Sequence, residues 1–353
     1  MKSREIIIGG VSNRDMLILV RQMHAAIKSG YNSAQALELA YDQSSGRLKQ
    51  ILDSVIKDVK HGAYLFEAFG KFQKYFSPLF ISLIKTGELS ASLEENLQRL
   101  VSTIDREHSF RQKLRAAMMY PAFVLIAVIG LGLTISIFVL PNLIPLFGSL
   151  NVDLPVSTKI LLWFAELFDK YGLIIFILFI AFVIFLFWLS RRKFSWPFTH
   201  WLALKIPISG RLNKQLAMAR FGRSLASLLR SGIPIDQSLK VTTTVVTNHY
   251  YQKAIDSILP LVHKGKTLGD SLKIYPKLFD NVFLRLLALG EATSRLGDAC
   301  DNAAEYYEGE VDDTMKTLAV SIEPLLIIFV GVIVAFVAFS IIGPIYKITG
   351  SLQ

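Results

Sequence analysis

The sequence predicts an all-α polytopic membrane protein in which three transmembrane helices carry two homologous cytoplasmic helical-bundle domains. Three observations predict it. The apolar excess gathers in three uncharged blocks, the stretches between the blocks have ordinary soluble character, and those stretches align with each other. Of 353 residues, 52% are hydrophobic and only 19% charged, and the mean hydropathy is +0.44. A soluble chain of this length needs more polar surface than that.

A first domain over residues 1–120 leads into the first block. From Pro121 to Val152 no residue is charged, and a helix needs about 20 apolar residues to cross the hydrocarbon core. A span over 121–146 is expected, ended by Pro141 and Pro145. An external loop follows over 147–170, then a second span over 171–190 that Arg191, Arg192 and Lys193 stop. The second domain covers 191–322, the third span 323–346, and a short external tail 347–353. Basic residues precede the first span (Arg111, Lys113, Arg115) and follow the second. By the positive-inside rule both domains and the N-terminus then face the cytoplasm, and the C-terminus lies outside. Residues 1–15 show no secretory signal, only a short Ile6-Ile7-Ile8 run.

The net charge of +10 is explained by this topology rather than by nucleic acid, since no basic stripe with interleaved aromatics occurs. The spans contain no ionisable residue, and ion pathways normally require one. A small-molecule transporter is therefore the weaker alternative. Gly331 and Ala335 have the spacing that lets helices approach closely, and Gly130 has a similar place in the first span.

The two cytoplasmic stretches repeat at an offset of about two hundred residues. Met16, Arg21, Ser29-Gly30, Gln35 and Leu37 fall on Met218, Arg223, Ser231-Gly232, Gln237 and Leu239. After one inserted residue, Gly62 and Leu65 fall on Gly265 and Leu268, Phe76 and Phe80 on Phe279 and Phe283, and Gly87-Glu88 on Gly290-Glu291. Leu93 then meets Leu296, and Pro121 meets Pro324, so each copy ends by feeding a span.

Within each copy the periodicity is helical. Phe221, Leu225, Leu228 and Leu229 form one face, with Arg220, Arg223 and Arg230 off it. Gly30 and Gly232 are placed to end a helix in the left-handed conformation, and Pro234 prevents continuation in the second copy. Ser77 and Asp280 are equivalent N-cap residues. Ser92 and Glu95 have capping-box spacing and start a helix expected to run through Arg115.

Little in the chain suggests chemistry. Gly265-Lys266-Thr267 resembles the end of a phosphate-binding loop, but Pro260 stands where that loop needs glycine. The six histidines lack metal-ligand spacing, and the single cysteine, Cys300, excludes an internal disulfide. No nucleophile elbow or acid and base couple stands out. No enzyme, cofactor or metal is expected. Glu88 and Glu291 are the best candidates for function, either as helix caps or as partner contacts. Replacing each with Gln separates the two: a folded but inactive variant marks a contact, and loss of protein marks a cap.

The repeated segments resemble the platform proteins of type II secretion and type IV pilus machines, the secretion protein F family of the bacterial inner membrane. The resemblance covers nearly the whole chain. It is carried by Phe221 to Leu239 (FGRSLASLLRSGIPIDQSL) and by the Gly-Glu-x-[Ser/Thr]-small-x-Leu segments starting at Gly87 and Gly290. Ala91 and Ser294 depart from it, standing where many such proteins have glycine, and Ser29-Gly30-Tyr31-Asn32 departs from the Gly-Ile-Pro of the second copy. The first domain begins almost at once, which is more similar to the pilus or competence type. The resemblance implies a scaffold that couples a cytoplasmic hexameric assembly ATPase to pilin or pseudopilin subunits in the lipid bilayer, beside other inner-membrane assembly proteins. Association of the chain with itself is also expected, which the Gly331 and Ala335 spacing would serve. Gly30, Gly87, Glu88, Pro121, Gly232, Pro234, Gly290, Glu291 and Pro324 are the motif positions expected to serve structure or partner contact.

Overall fold

The computed structural model describes residues 10–134, scattered helical positions between 159 and 188, and residues 196–205 and 207–351. Among the described residues the regular structure is entirely helical. The first copy contains α1 (Asn13–Lys28), α2 (Ser33–Asp42), α3 (Gly46–Lys60), α4 (Leu65–Gly70), α5 (Pro78–Leu89) and α6 (Leu93–Thr134). The second contains α7 (Trp196–Lys205), α8 (Pro207–Arg230), α9 (Ile235–Val245), α10 (His249–His263), α11 (Leu268–Leu272), α12 (Asn281–Ala292) and α13 (Leu296–Ser351).

Local chemistry sets most of the helix ends. Ser12 and Asp15 form a reciprocal capping box on α1, and Asn32 and Gln35 form one on α2. Ser77 Oγ accepts from the Phe80 amide at 3.2 Å, and Asp280 Oδ1 accepts from the Phe283 amide at 2.9 Å. Two different side chains thus cap equivalent helices, as their spacing predicts. At Gly30, with φ +88°, the Tyr31 amide donates to the Ala26 carbonyl at 3.1 Å. At Gly232, with φ +79°, the Ile233 amide donates to the Leu228 carbonyl, also at 3.1 Å. Each closes its helix with a Schellman motif. Gly265 ends α10 in the same way and Thr267 caps α11, so the glycine, lysine and threonine that imitate a phosphate loop form a helix-to-helix junction.

The capping box expected at Ser92 and Glu95 is replaced by other contacts. Ser92 Oγ accepts from Asn96 Nδ2 at 3.0 Å, and Glu95 lies 4.0 Å from Arg99. Asn96 is almost fully buried, and satisfying its Nδ2 group takes precedence over the exposed cap.

The chain divides into two compact units. One combines Met1–Lys113 with His200–Asp313, and the other combines Leu114–Thr199 with Thr314–Gln353. The first unit holds both helical copies and two apolar clusters. In one cluster Phe69, Phe76 and Phe80 pack with ring centroids 4.6 to 5.2 Å apart, beside Leu37, Ile51 and Leu83. The other centres on Phe221, Phe279, Phe283 and Tyr251, with Cys300 buried beside them. Burial pushes the Cys300 thiol up, so it is inert packing.

The copies are not separate globules. Leu228 and Ile233 of the second copy are buried within the cluster of the first, where α5 packs on α8 and α9. This modifies the face expected for α8. Phe221 and Leu225 enter the second copy's cluster, Leu228 enters the first copy's, and of the arginines on the remaining side Arg223 is largely enclosed.

In the second unit, α13 is helical through Pro324 and the uncharged segment that follows. Large apolar side chains there, Ile327, Phe329, Val332 and Phe339 among them, are exposed. The expected spans lie partly outside the described residues, including all of 135–158. Counting only the described residues, no helix is long and apolar enough to cross a membrane.

Candidate functional site

The Gly-Glu segments sit at the C-terminal ends of α5 and α12, and the structure gives both residues of each pair a definite job. Glu88 turns back and accepts from the amides of Leu65 and Phe66 at 2.8 and 3.1 Å. Glu291 accepts from the amides of Leu268 and, at 3.0 Å, Gly269. The carboxylates therefore cap α4 and α11, which precede them by more than twenty residues, rather than the helices that follow. Tyr64 provides no side-chain cap of its own, so Glu88 satisfies amides that are otherwise orphaned, and its charge suits the positive end of the helix.

The glycines permit close approach. A Cβ on Gly87 would lie 3.0 Å from both the Asn96 Cβ and the Leu93 Cα, and one on Gly290 would lie 2.3 Å from the Ala299 Cβ. Each glycine lets the helix that starts just after it fold back against its own helix. Beyond them, Ala91 and Ser294 have φ +53° and +54°, the left-handed region that disfavours side chains. The Ser92 amide reaches the Gly87 carbonyl at 2.9 Å and the Arg295 amide reaches the Gly290 carbonyl at 2.8 Å. These are the positions where the resemblance expects glycine, and the geometry shows why.

Between the copies lies an ionic network. Arg223 of α8 grips Glu308 of α13 through two hydrogen bonds of 3.0 and 2.9 Å and also pairs with Asp301. Asp301 in turn pairs with Arg230, and Arg230 also holds Asp298 at 2.7 Å. Arg106 of α6, from the first copy, joins at Glu305 (2.8 Å) and Asp301 (3.7 Å). The Arg223 and Asp301 side chains are only 11% and 13% exposed, so the network sits in a poorly solvated seam. Nearby, Thr103 Oγ1 and Ser227 Oγ share a hydrogen bond of 2.8 Å across the same seam. The first copy keeps a remnant of the pattern in the Arg21 to Asp105 pair at 2.7 Å. A cleft of about 340 Å³ opens beside this seam, between apolar residues such as Met16 and Leu79 and the guanidinium of Arg220. Burial lowers the Arg220 pKa, and its Nη1 donates to Thr247 Oγ1 at 3.0 Å.

The expected residues are thus gathered in pairs, not in one pocket. Gly30 and Gly232 end α1 and α8, Pro234 is the N-cap residue of α9, and Gly87-Glu88 and Gly290-Glu291 lock the two junctions. Pro121 and Pro324 lie inside α6 and α13. No local pattern pointed to the network from Arg106 to Glu308, because its members are spread over some two hundred positions. Only the repeated Arg21 and Arg223 hinted at it.

Two copies of this junction, each leading into a long helix, match a known family. The family described as type II secretion system protein F covers residues 19–141 and 221–344, one match per copy. The chain belongs to this family. The paired matches coincide with the paired geometry, because each contains a Gly-Glu lock and the start of a long helix. Among similar members, a type IV pilus assembly protein PilC of Thermus thermophilus is 32% identical over 98% of this chain and 85% of its own length. A type II secretion system protein F of Aeromonas hydrophila is 28% identical over 98% of this chain and 89% of its own. A PilC of Myxococcus xanthus is 27% identical over 98% and 83%. The secretion protein F family therefore spans pilus-assembly and secretion members, and this chain is similar to both over nearly all its length.

Proposed function

We propose that this chain is the platform protein of a type IV pilus or type II secretion machine in the bacterial inner membrane, a scaffold rather than an enzyme. Full-length similarity to proteins of both machines carries the reading. Three transmembrane helices, over 121–146, 171–190 and 323–346, hold it in the bilayer with the helical copies in the cytoplasm. The exposed apolar side chains of α13, and Phe123 and Ile126 on α6, support this. Surface of that kind is stable against lipid and costly against water. The cytoplasmic copies receive motion from a hexameric assembly ATPase, and the spans pass it to pilin or pseudopilin helices. The seam between the copies, where Arg106 pairs with Glu305 and Leu228 and Ile233 enter the first copy's cluster, supports a unit that transmits force.

In-cell crosslinking and mass spectrometry of proteins purified with a tagged copy test this. An assembly ATPase on residues of the helical copies and a pilin-like helix on the spans are expected. A deletion strain that still assembles filaments and secretes normally refutes it.

A further inference from the structure

The seam between the two copies is not two-fold. On one side it uses α5 and α6 of the first copy, and on the other α8 and α9 of the second. Because the chain is a repeat, each side has a counterpart on the opposite copy, and among the described residues several positions of those counterparts are exposed. Leu79 is 8% exposed and Leu83 fully buried, whereas on α12 the equivalent Val282 is 44% exposed and the equivalent Leu286 is only partly buried against its own copy's cluster. The pattern is specific to the seam. The core positions of the same two helices, Phe80 with Phe283 and Ile84 with Leu287, are buried in both copies.

The other side behaves alike. Ile233 is 8% exposed within the first copy's cluster, and Val241 packs against that cluster. Their equivalents on the first copy, Tyr31 and Leu39, are 48% and 42% exposed. Ser227 is 9% exposed where it meets Thr103 across the seam; its equivalent Ala25 is exposed, and Tyr306, the equivalent of Thr103, is 47% exposed. Charge also suits a meeting of the two open faces, since Arg285 lies between Val282 and Leu289 on α12, and Asp42 follows Leu39 on α2.

We infer that chains of this protein dock head to tail, the open α12 and α13 face of one meeting the open α1 and α2 face of the next, in a repeat of the seam that joins the two copies. This gives a surface to the self-association expected from the sequence and does not depend on the machine served. A seam of this kind is heterologous, so it builds a ring where the rotation closes and an open string where it does not.

Cysteine crosslinking of the full-length chain in membranes tests it, in a Cys300→Ala background. Thr103→Cys with Ser227→Cys, whose oxygens are 2.8 Å apart, closes a bond within one chain and shows that oxidation reaches the seam. Ala25→Cys on one tagged chain and Tyr306→Cys on a differently tagged chain are expected to form a mixed dimer. Both changes on one chain are expected to give a ladder of multimers, and adding Val282→Asp is expected to reduce the ladder at least tenfold. Two results overturn the inference. One is monomer alone from the Ala25 and Tyr306 pair while the internal pair still closes. The other is efficient dimerisation of either single-cysteine chain by itself, which marks a two-fold contact instead.

Discussion

Ala91 and Ser294 hold a backbone conformation that costs an L-residue about 1–2 kcal/mol. Glycine removes that cost and gives back part of it in unfolded-chain entropy. Ala91→Gly and Ser294→Gly are each expected to stabilise the helical unit by about 1 kcal/mol, seen as a raised midpoint in thermal unfolding of the purified protein. A lowered midpoint would show that the methyl or hydroxyl makes a compensating contact. Glu291→Gln keeps the shape but loses the charge facing two amides at the start of α11, with an expected loss of about 1–2 kcal/mol. Glu88→Gln is expected to behave alike at α4. If both variants keep their stability but lose filament assembly or secretion, the carboxylates serve a partner instead.

Among elements, the decisive contact is that of α12 with the start of α13. Gly290 faces the Ala299 Cβ where a methyl would stand 2.3 Å away. Gly290→Ala therefore forces the two helices apart and is expected to cost about 2–3 kcal/mol, by the measure of overpacking elsewhere. Gly87→Ala meets contacts of 3.0 Å and is expected to cost less. Protein level and unfolding midpoint compare the two, and equal effects would mean that the second junction relaxes as readily as the first.

Helix ends were legible wherever the capping partner lies within a few residues, as at Ser77, Asp280, Gly30 and Gly232. The spacing alone carries that physics. It misled at Ser92, where a buried Asn96 competes for the hydroxyl. The partners of Glu88 and Glu291 were out of reach of any local pattern, since a hairpin of helices must form before they meet. The sequence showed that these glutamates recur, and only the fold showed which helix they cap.

For the whole molecule, the network around Arg223 and Asp301 holds α8 to α13 in the second copy, and Arg106 ties the first copy to it. Removing Arg223 leaves acidic groups in a poorly solvated place, and truncating one partner of such a pair typically costs about 3 kcal/mol or more. Arg223→Met is expected to lower the unfolding midpoint. Asp301→Asn combined with it is expected to lower it by less than the sum of the two single changes, because the residues share one network. Strict additivity would mean that the charges act separately. The repeat itself was legible from paired residues, but the sharing of one cluster by both copies was not. Leu228 read as part of the apolar face of its own helix, and the pattern of one helix does not say which neighbour it will meet.

That sharing has a consequence for how the chain is made. The first copy's cluster lacks Leu228 and Ile233 until they are synthesised, long after Leu97 and Leu100 have joined it. At ordinary rates of translation the gap is on the order of ten seconds. Throughout that time the α5 side of the nascent module has an uncovered apolar flank, while two of the proposed spans are being inserted. Ribosome-bound chains that stop before residue 228 should therefore be held by a chaperone, and those that extend past α9 should be released from it.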